Sequence, residues 1–186
     1  MKQVTVVLTL LLSLSIGGVC AQKTNETMKI LVAYFSHSGN TRTIAGQIQK
    51  ATGADIFEIE VKNAYPSNYQ SVVDQAKKEI NAGVKPDLKS MPENLAQYDV
   101  VFIGSPNWWS TIAPPVATFL TKGDFSGKTV IPFVTHGGGG IARWEADVKK
   151  LCPGSTLLKG FAINGSTVQN AMPRIQKWLQ EIGITD

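Results

Sequence analysis

The sequence is poor in the residues that metal sites and many catalytic sites require. Among its 186 residues there are two histidines and two cysteines, and neither H-E-x-x-H nor C-x-x-C occurs. A metal site therefore has almost no supply of nitrogen or sulfur ligands. No G-x-S-x-G sequence occurs either, which removes the nucleophile elbow of a Ser-His-Asp hydrolase. We expect no bound metal and no hydrolase triad.

The sequence also lacks a continuous run of basic residues. Lys and Arg number 18 against 14 Asp and Glu, which gives a formal net charge of +4. The basic residues on predicted helix faces or near helix ends are Lys77, Lys78, Lys149, Lys150, Lys159 and Lys177. They form no run with interleaved aromatic residues, the pattern typical of nucleic-acid binding. We therefore expect no nucleic-acid partner.

A long membrane-spanning run is missing as well. The chain begins with Met1 and Lys2, and residues 4–16 form an apolar run interrupted only by Thr and Ser. This run is shorter than the about 20 apolar residues that a membrane span needs. Small residues at 19–21 suit cleavage after the run, so we expect residues 1–21 to be a secretory signal peptide.

A signal peptide implies export to the periplasm or the medium. Cys20 leaves open the alternative that the exported protein is anchored by a lipid. If Cys20 carries a lipid, it becomes the first residue of an anchored protein. Otherwise cleavage leaves Cys152 as the single cysteine, for which a small apolar filler is the simplest role. We expect no transmembrane span in the mature form, a short tail at 22–28 and one domain at 29–186.

Five apolar segments of strand length follow the tail. Those with near-continuous apolar residues, typical of strands buried on both faces, are 29–35, 99–103 and 129–134. Residues 54–61 alternate between apolar and acidic side chains, which favours an edge strand, and residues 156–163 are the other candidate edge. Pro132 falls inside an apparent central strand, where it removes a hydrogen-bond donor, so we expect a local irregularity there.

Amphipathic stretches of helical period separate these segments. They cover residues 44–51, 69–80, 114–120, 141–151 and 168–182. Gly53 and Gly83 follow the first two and are the expected stop residues. Five alternations of strand and helix predict a doubly wound α/β domain, with a parallel sheet covered by helices on both faces.

In such a sheet, ligands bind outside the carboxyl ends of the strands. The first strand ends in S-H-S-G-N-T, residues 36–41, which leads directly into a helix. Free backbone N–H groups and the positive end of the helix dipole attract an anion at such a turn, and Gly39 lets the backbone approach closely. A phosphate monoester would fit. The alternative is a polar turn that only caps the helix.

Two more unusual loops follow the third and fourth strands. Residues 104–115 read G-S-P-N-W-W-S-T-I-A-P-P, and two adjacent tryptophans in a loop are difficult to bury together. A planar ligand would use at least one of them, although core packing of one remains open. Residues 135–140, T-H-G-G-G-G, suggest a backbone that a flat group approaches closely, or else a flexible loop. Together the three loops predict one site: a phosphate end, an aromatic wall and a thin backbone shelf.

On these three loops the chain resembles the flavodoxin-like proteins, in particular their short-chain, FMN-binding group, over residues 29–183. The resemblance implies a three-layer sandwich with a five-stranded parallel sheet in the order 2-1-3-4-5, and FMN as cofactor. It assigns the first loop to the phosphate of FMN, Trp108 to stacking on the flavin ring, Trp109 to packing, and the third loop to the pyrimidine side. The candidate cofactor-binding residues are Ser36, His37, Ser38, Gly39, Asn40, Thr41, Ser105, Pro106, Asn107, Trp108, Trp109, Thr135, His136, Gly137, Gly138 and Gly139.

The chain also departs from electron-carrier flavodoxins. Those proteins are usually acidic and commonly place a Tyr in the third loop, whereas this chain is basic overall and has His136 and glycines there. No Gly follows Trp108, so stabilisation of a one-electron-reduced flavin is not implied. We expect His37 to face solvent and His136 to contact the flavin edge.

These departures favour an oxidoreductase that reduces small acceptors such as quinones. Two alternatives stay open: an electron carrier between redox partner proteins, and a flavin-binding or anion-binding module without redox work.

Overall fold

The computed structural model describes residues 28–186. The predicted signal peptide and Cys20 lie outside the described residues, as does nearly all of the predicted tail. Within the part that is described, no helix is both long enough and apolar enough to cross a membrane.

Strands and helices alternate along the chain as the sequence predicts. The strands are β1 (Ile30–Tyr34), β2 (Asp55–Glu58), β3 (Val100–Pro106), β4 (Thr129–His136), β5 (Thr156–Leu157) and β6 (Phe161–Asn164). The α-helices are α1 (Asn40–Thr52), α2 (Tyr69–Ala82), α3 (Pro114–Lys122), α4 (Trp144–Leu151) and α5 (Met172–Glu181). Short 3-10 helices occupy Leu95–Gln97 and Gly165–Asn170.

All strand pairs of the sheet are parallel. The order is β2-β1-β3-β4-β5, and β6 also pairs with β4. This confirms the predicted order 2-1-3-4-5, with the carboxyl ends of the strands on one edge. β2 is an edge strand, as its alternating pattern predicts.

The predicted fifth strand is split into two segments, β5 and β6. The last ladder contact of the first segment is the hydrogen bond from the Leu158 N–H to the Val130 carbonyl, at 3.1 Å, and pairing resumes where Phe161 lies opposite Phe133. Pro132 lies between these two contacts. Since Val130 faces the fifth strand and orientation alternates, the nitrogen of Pro132 also faces that side. β4 itself is continuous. The irregularity expected at Pro132 therefore occurs in the neighbouring fifth strand, which breaks at the point opposite Pro132, where β4 has no N–H donor to offer.

The observed helix boundaries are predicted better by the glycine positions than by the spacing of apolar residues. Gly53 and Gly83 end α1 and α2 with φ values of 70° and 64°, as predicted. Helix α4 begins at Trp144 rather than 141, because Ala142 has a positive φ of 49°. The predicted helix at 168–182 begins as a 3-10 helix, and α5 starts at Met172, where Pro173 suits the first helical turn.

Two hydrophobic clusters lie on opposite faces of the sheet. In β1, Leu31 and Ala33 belong to one cluster, while Val32 and Tyr34 belong to the other. The first cluster includes residues of α3 and α4, and the second includes residues of α1 and α5. These layers confirm the predicted sandwich. Cys152 is buried in the first cluster, and burial raises the pKa of its thiol to about 11, which fits the role of an unreactive apolar filler.

The close packing of β3 against β4 gives a stability prediction. A Cβ atom on Gly104 would lie 2.1 Å from Cζ of Phe133. We expect Gly104→Ala to lower the free energy of unfolding by about 1–3 kcal/mol, because the ring must leave its place in a filled core. Urea unfolding of the purified variant measures this change.

Gly46 in α1 is the matched control. A Cβ there meets nothing within 4 Å, so Gly46→Ala should raise the free energy of unfolding by roughly 0.5–1 kcal/mol through helix propensity. Equal effects of the two substitutions would contradict the packing argument.

Candidate functional site

The three predicted loops meet at the carboxyl edge of the sheet around one cavity of about 780 Å³. This volume lies within the roughly 300–1,000 Å³ of typical ligand sites. The predicted residues that line it are His37, Ser38, Asn40, Pro106, Asn107, Trp108, Trp109, Thr135, His136, Gly137, Gly138 and Gly139. Ser36, Gly39, Thr41 and Ser105 belong to the same loops but do not line the cavity wall.

The first loop presents unpaired backbone donors at the start of α1. Gly39 is the N-cap residue with a φ of 90°, and it has no side chain of its own to cap the turn. Ser36 Oγ accepts a hydrogen bond from the Arg42 N–H at 3.2 Å. The N–H groups of residues 38–41 make no hydrogen bond within the described residues 28–186. This arrangement can hold an anion through backbone dipoles.

The positive charge next to this loop is already paired. Nε of Arg42 lies 3.1 Å from Oε2 of Glu58, and a second guanidinium nitrogen contacts the other carboxylate oxygen. The Tyr34 hydroxyl donates to the same carboxylate at 3.0 Å. Burial, followed by this hydrogen bond, raises the pKa of Tyr34. The anion site therefore depends on N–H and hydroxyl groups rather than on a formal charge.

Hydrogen bonds connect the three loops beneath the cavity. The hydroxyls of Thr41 and Thr135, both buried, lie 2.9 Å apart and join the first loop to the third. The Asn107 N–H donates to the Thr135 carbonyl at 2.8 Å, and Nδ2 of Asn107 donates to the Gly140 carbonyl at 2.9 Å. The second loop is thereby fixed against the third.

The Thr41–Thr135 contact gives a second stability prediction. We expect Thr41→Val to lower the free energy of unfolding by about 1–3 kcal/mol, because the Thr135 hydroxyl loses its partner inside the protein. The double variant Thr41→Val with Thr135→Val should recover part of this loss, since neither buried hydroxyl then remains. Thermal or urea unfolding of the two single variants and the double variant gives a double-mutant cycle. If the losses of unfolding free energy in the single variants simply add in the double variant, the two hydroxyls do not interact directly.

A strained turn carries the two tryptophans. Trp108 and Thr111 exchange backbone hydrogen bonds of 3.3 and 3.0 Å, while Trp109 and Ser110 between them have φ values of 51° and 64°. Two positive φ angles define a type I′ turn, which non-glycine residues adopt at a cost. The turn directs Trp109 outward against α2, where its indole N–H donates to the Val73 carbonyl at 3.1 Å.

The packing that we expect of Trp109 takes place on the surface of α2 and not in the core. Trp109 is 48% exposed, whereas Trp108 is half-buried against the core. Edge contacts join Trp108 to Phe35 and Tyr65, with ring centroids 5.5 and 5.0 Å away. The Tyr65 hydroxyl donates to Glu79 Oε2 at 2.5 Å, and burial, followed by this hydrogen bond, raises the pKa of Tyr65 far above its usual value. Both tryptophans nevertheless line the cavity.

The two histidines are both fixed by hydrogen bonds. His37, predicted to face solvent, is half-buried instead, because its Nε2–H donates to the Pro66 carbonyl at 2.9 Å. Nδ1 of His136 accepts from the Gly138 N–H at 3.0 Å, so the neutral ring carries its proton on Nε2. His136 lines the cavity, as its predicted position at the flavin edge requires.

Two further segments, which our sequence prediction did not include, also line the cavity. The loop after β6 contributes Asn164, Gly165 and Ser166, and α2 contributes Tyr69, Val72, Val73 and Ala76; Ser110 completes the wall. The signal for the β6 loop was present, because N-G-S-T at a strand end has the same small polar character as S-H-S-G-N-T. The apolar face of α2 carried no such signal, since it reads as an ordinary core face.

The loop after β6 and the first loop lie very close to each other in the wall of the cavity. A Cβ atom on Gly165 would lie 2.5 Å from Nδ2 of Asn40. Glycine at this position therefore lets the two loops meet.

The sequence matches a family model described as flavodoxin over residues 29–182. The chain belongs to the flavodoxin family. The resemblance inferred from the three loops is thereby confirmed, and with it the flavodoxin-like fold.

Solved structures agree with this assignment. A candidate flavoprotein from Bacteroides eggerthii DSM 20697 is 34% identical, with a TM-score of 0.76, and the match covers 84% of this chain and 99% of the other. Another candidate flavoprotein, from Bacteroides uniformis ATCC 8492, is 32% identical, with a TM-score of 0.74, and the match covers 82% of this chain and 98% of the other. A flavoprotein from Lactobacillus acidophilus NCFM, crystallised with FMN, is 22% identical, with a TM-score of 0.65 and coverage of 77% and 97%, and shows the shared fold.

The residues of this chain fit the FMN that the family implies. The unpaired N–H groups of residues 38–41 suit a phosphate, and Trp108 offers an aromatic surface. Gly138 has a φ of 150°, and a Cβ on Gly137 or Gly138 would meet nothing within 4 Å, so the third loop is a bare backbone shelf. Oδ1 of Asn107 is buried without a partner among the described residues. A ligand with an N–H donor, such as the flavin ring, would satisfy it.

Proposed function

We propose that this protein binds FMN in the 780 Å³ cavity and works as an oxidoreductase that reduces small acceptors such as quinones. The observation that carries the proposal is the convergence of unpaired N–H groups, an aromatic surface and a glycine shelf on one cavity. Family membership supports FMN as the cofactor, as does the FMN complex of the Lactobacillus acidophilus protein.

Each part of the cavity has a role in this proposal. The N–H groups of residues 38–41 bind the phosphate, with the hydroxyl of Ser38 and the amide of Asn40 beside them. Trp108 orients the ring, and Gly137–Gly139 let it approach the backbone. When bound, FMN supplies a two-electron transfer, in which reduced flavin is oxidised and the quinone gains two electrons and two protons to become a hydroquinone.

Access to the cavity supports a small acceptor. The third loop has three exposed glycines, Gly137–Gly139, where no side chain covers the cavity. Among the described residues that line the cavity, none is Asp, Glu, Lys or Arg. An uncharged, uncovered site accommodates a small planar molecule without desolvating a charge. The basic net charge also argues against docking through an acidic surface.

A titration of the purified protein with FMN tests the first half of the proposal, with quenching of flavin fluorescence as the measurement. Anaerobic reduction with dithionite, followed by addition of a quinone, tests the second half. We expect tight binding and a two-electron oxidation by the quinone. A long-lived one-electron-reduced state with no transfer to quinones would favour the electron carrier. A protein that rejects FMN would be the non-redox module.

We also propose that the protein is exported. The apolar run at residues 4–16 and the small residues at 19–21 support removal of residues 1–21. Mass spectrometry of the protein recovered from outside the cytoplasm should find Gln22 as the first residue. A lipid on Cys20 would support anchoring instead, and an intact Met1 would overturn the proposal.

A further inference from the structure

A charged side chain on α2, Lys77, lies beside the aromatic wall of the cavity. Nζ of Lys77 lies 4.7 Å from the centroid of the Trp109 ring. Trp109 lines the cavity and Lys77 does not. The ammonium group therefore lies at the rim, beside a cavity whose described wall residues carry no Asp, Glu, Lys or Arg.

The position of Trp109 is fixed rather than incidental. Its backbone adopts a positive φ of 51°, and its indole N–H is held by the Val73 carbonyl on the same helix as Lys77. A half-exposed indole that is held in place at a cavity rim offers a fixed, flat apolar surface to a planar ligand.

The ammonium group of Lys77 has no ion pair within the described residues 28–186. The carboxylates nearest to it along α2 are engaged elsewhere. Asp74 accepts from Nε2 of Gln70 at 3.0 Å, and Glu79 accepts from Tyr65 and Gln75. The charge at the rim is thus available to an anion that enters from solvent.

We propose that Lys77 and Trp109 together select planar acceptors that carry an anionic substituent, such as a quinone with a sulfonate or carboxylate group. The ring of the acceptor packs against the indole, and its anionic group lies next to the ammonium. This inference rests on the proposed function, and it names the class of quinone that the site prefers. The phosphate of FMN is bound by the first loop, on different elements from α2.

Equilibrium binding to the oxidised, FMN-loaded protein tests this selection without turnover. Isothermal titration calorimetry compares naphthoquinone sulfonate with unsubstituted naphthoquinone at low ionic strength. We expect the sulfonate to bind more tightly. Lys77→Met should weaken the sulfonate about two- to fivefold, as for an exposed ion pair, and leave the neutral quinone unchanged. The effect should shrink at high salt, because the contact is exposed.

Lys78→Met is the matched control. Lys78 is the exposed neighbour of Lys77 on α2 and does not lie over the Trp109 ring. The substitution removes the same charge, and we expect it to change neither affinity. FMN affinity should be the same in both variants and in the unsubstituted protein.

Four results would overturn the inference. Equal affinity for the two quinones in the unsubstituted protein, or equal losses in the Lys77 and Lys78 variants, would remove Lys77 from acceptor selection while quinone reduction still stands. Loss of FMN affinity in Lys77→Met would assign the residue to the cofactor instead. Failure of both quinones to bind the loaded protein would overturn this inference and the quinone part of the proposed function together.

Discussion

Replacing Trp144 with alanine is expected to lower the free energy of unfolding by about 3–5 kcal/mol. Trp144 is 0% exposed and is the largest fully buried side chain of the described residues. Its indole N–H donates to the Thr111 carbonyl at 3.0 Å, so alanine creates a cavity and also removes a buried hydrogen bond. Urea unfolding followed by circular dichroism measures the loss.

The conservative change Trp144→Phe separates the two contributions. Phenylalanine keeps most of the packed volume but cannot donate to Thr111, so we expect a smaller loss of about 1–3 kcal/mol. The Thr111 carbonyl also accepts from the Trp108 N–H, so this contact supports the turn beside the cavity. A Trp144→Ala protein as stable as the unsubstituted one would contradict the described packing.

Replacing Trp108 with alanine is expected to weaken FMN binding by about 1–3 kcal/mol, through loss of stacking and of buried apolar area. Fluorescence titration of FMN gives the dissociation constant. The variant also loses its edge contacts with Phe35 and Tyr65. The unfolding curve of the FMN-free variant must therefore be recorded, to show that the protein is folded during the titration.

Trp109→Ala provides the comparison within the same turn. Because Trp109 is half exposed and packs on α2, we expect its loss to weaken FMN binding less than the loss of Trp108. Equal losses, or unchanged affinity in Trp108→Ala, would contradict the assignment of Trp108 to the flavin ring.

The sequence predicts the helix ends best where glycine decides them. Gly53 and Gly83 could be identified because a left-handed residue ends a helix regardless of what the helix packs against. The residues at 141–143 could not be excluded from α4, because Ala142 is a good helix former and its positive φ is imposed by the loop. The break in the fifth strand was also hidden. T-L-L-K-G-F-A-I has the composition of one strand. Only the pairing with β4 shows that Pro132, which has no N–H to donate, lies opposite the break in this strand.

The three loops of the site could be predicted because each is locally abnormal for a globular protein. A small polar run, adjacent tryptophans and four glycines each require a reason. Tyr69, Val72 and Ala76 of α2 lacked such a signal, since their contribution depends on where the helix lies across the sheet. The burial of the two tryptophans could not be assigned either, because it depends on the backbone angles of Trp109 and Ser110.

The hydrogen bond between Thr41 and Thr135 joins residues 94 positions apart in the sequence. The N–H groups of the first loop are formed by a local turn, but the cavity also needs Thr135 on β4 and Ser166 after β6. The growing chain cannot complete the site until residue 166 has been synthesised and β6 has joined the sheet. We therefore expect cofactor uptake to be a late event in the maturation of this protein. Because only the completed fold binds FMN, free FMN stabilises the whole domain against unfolding, more strongly as its concentration rises above the dissociation constant.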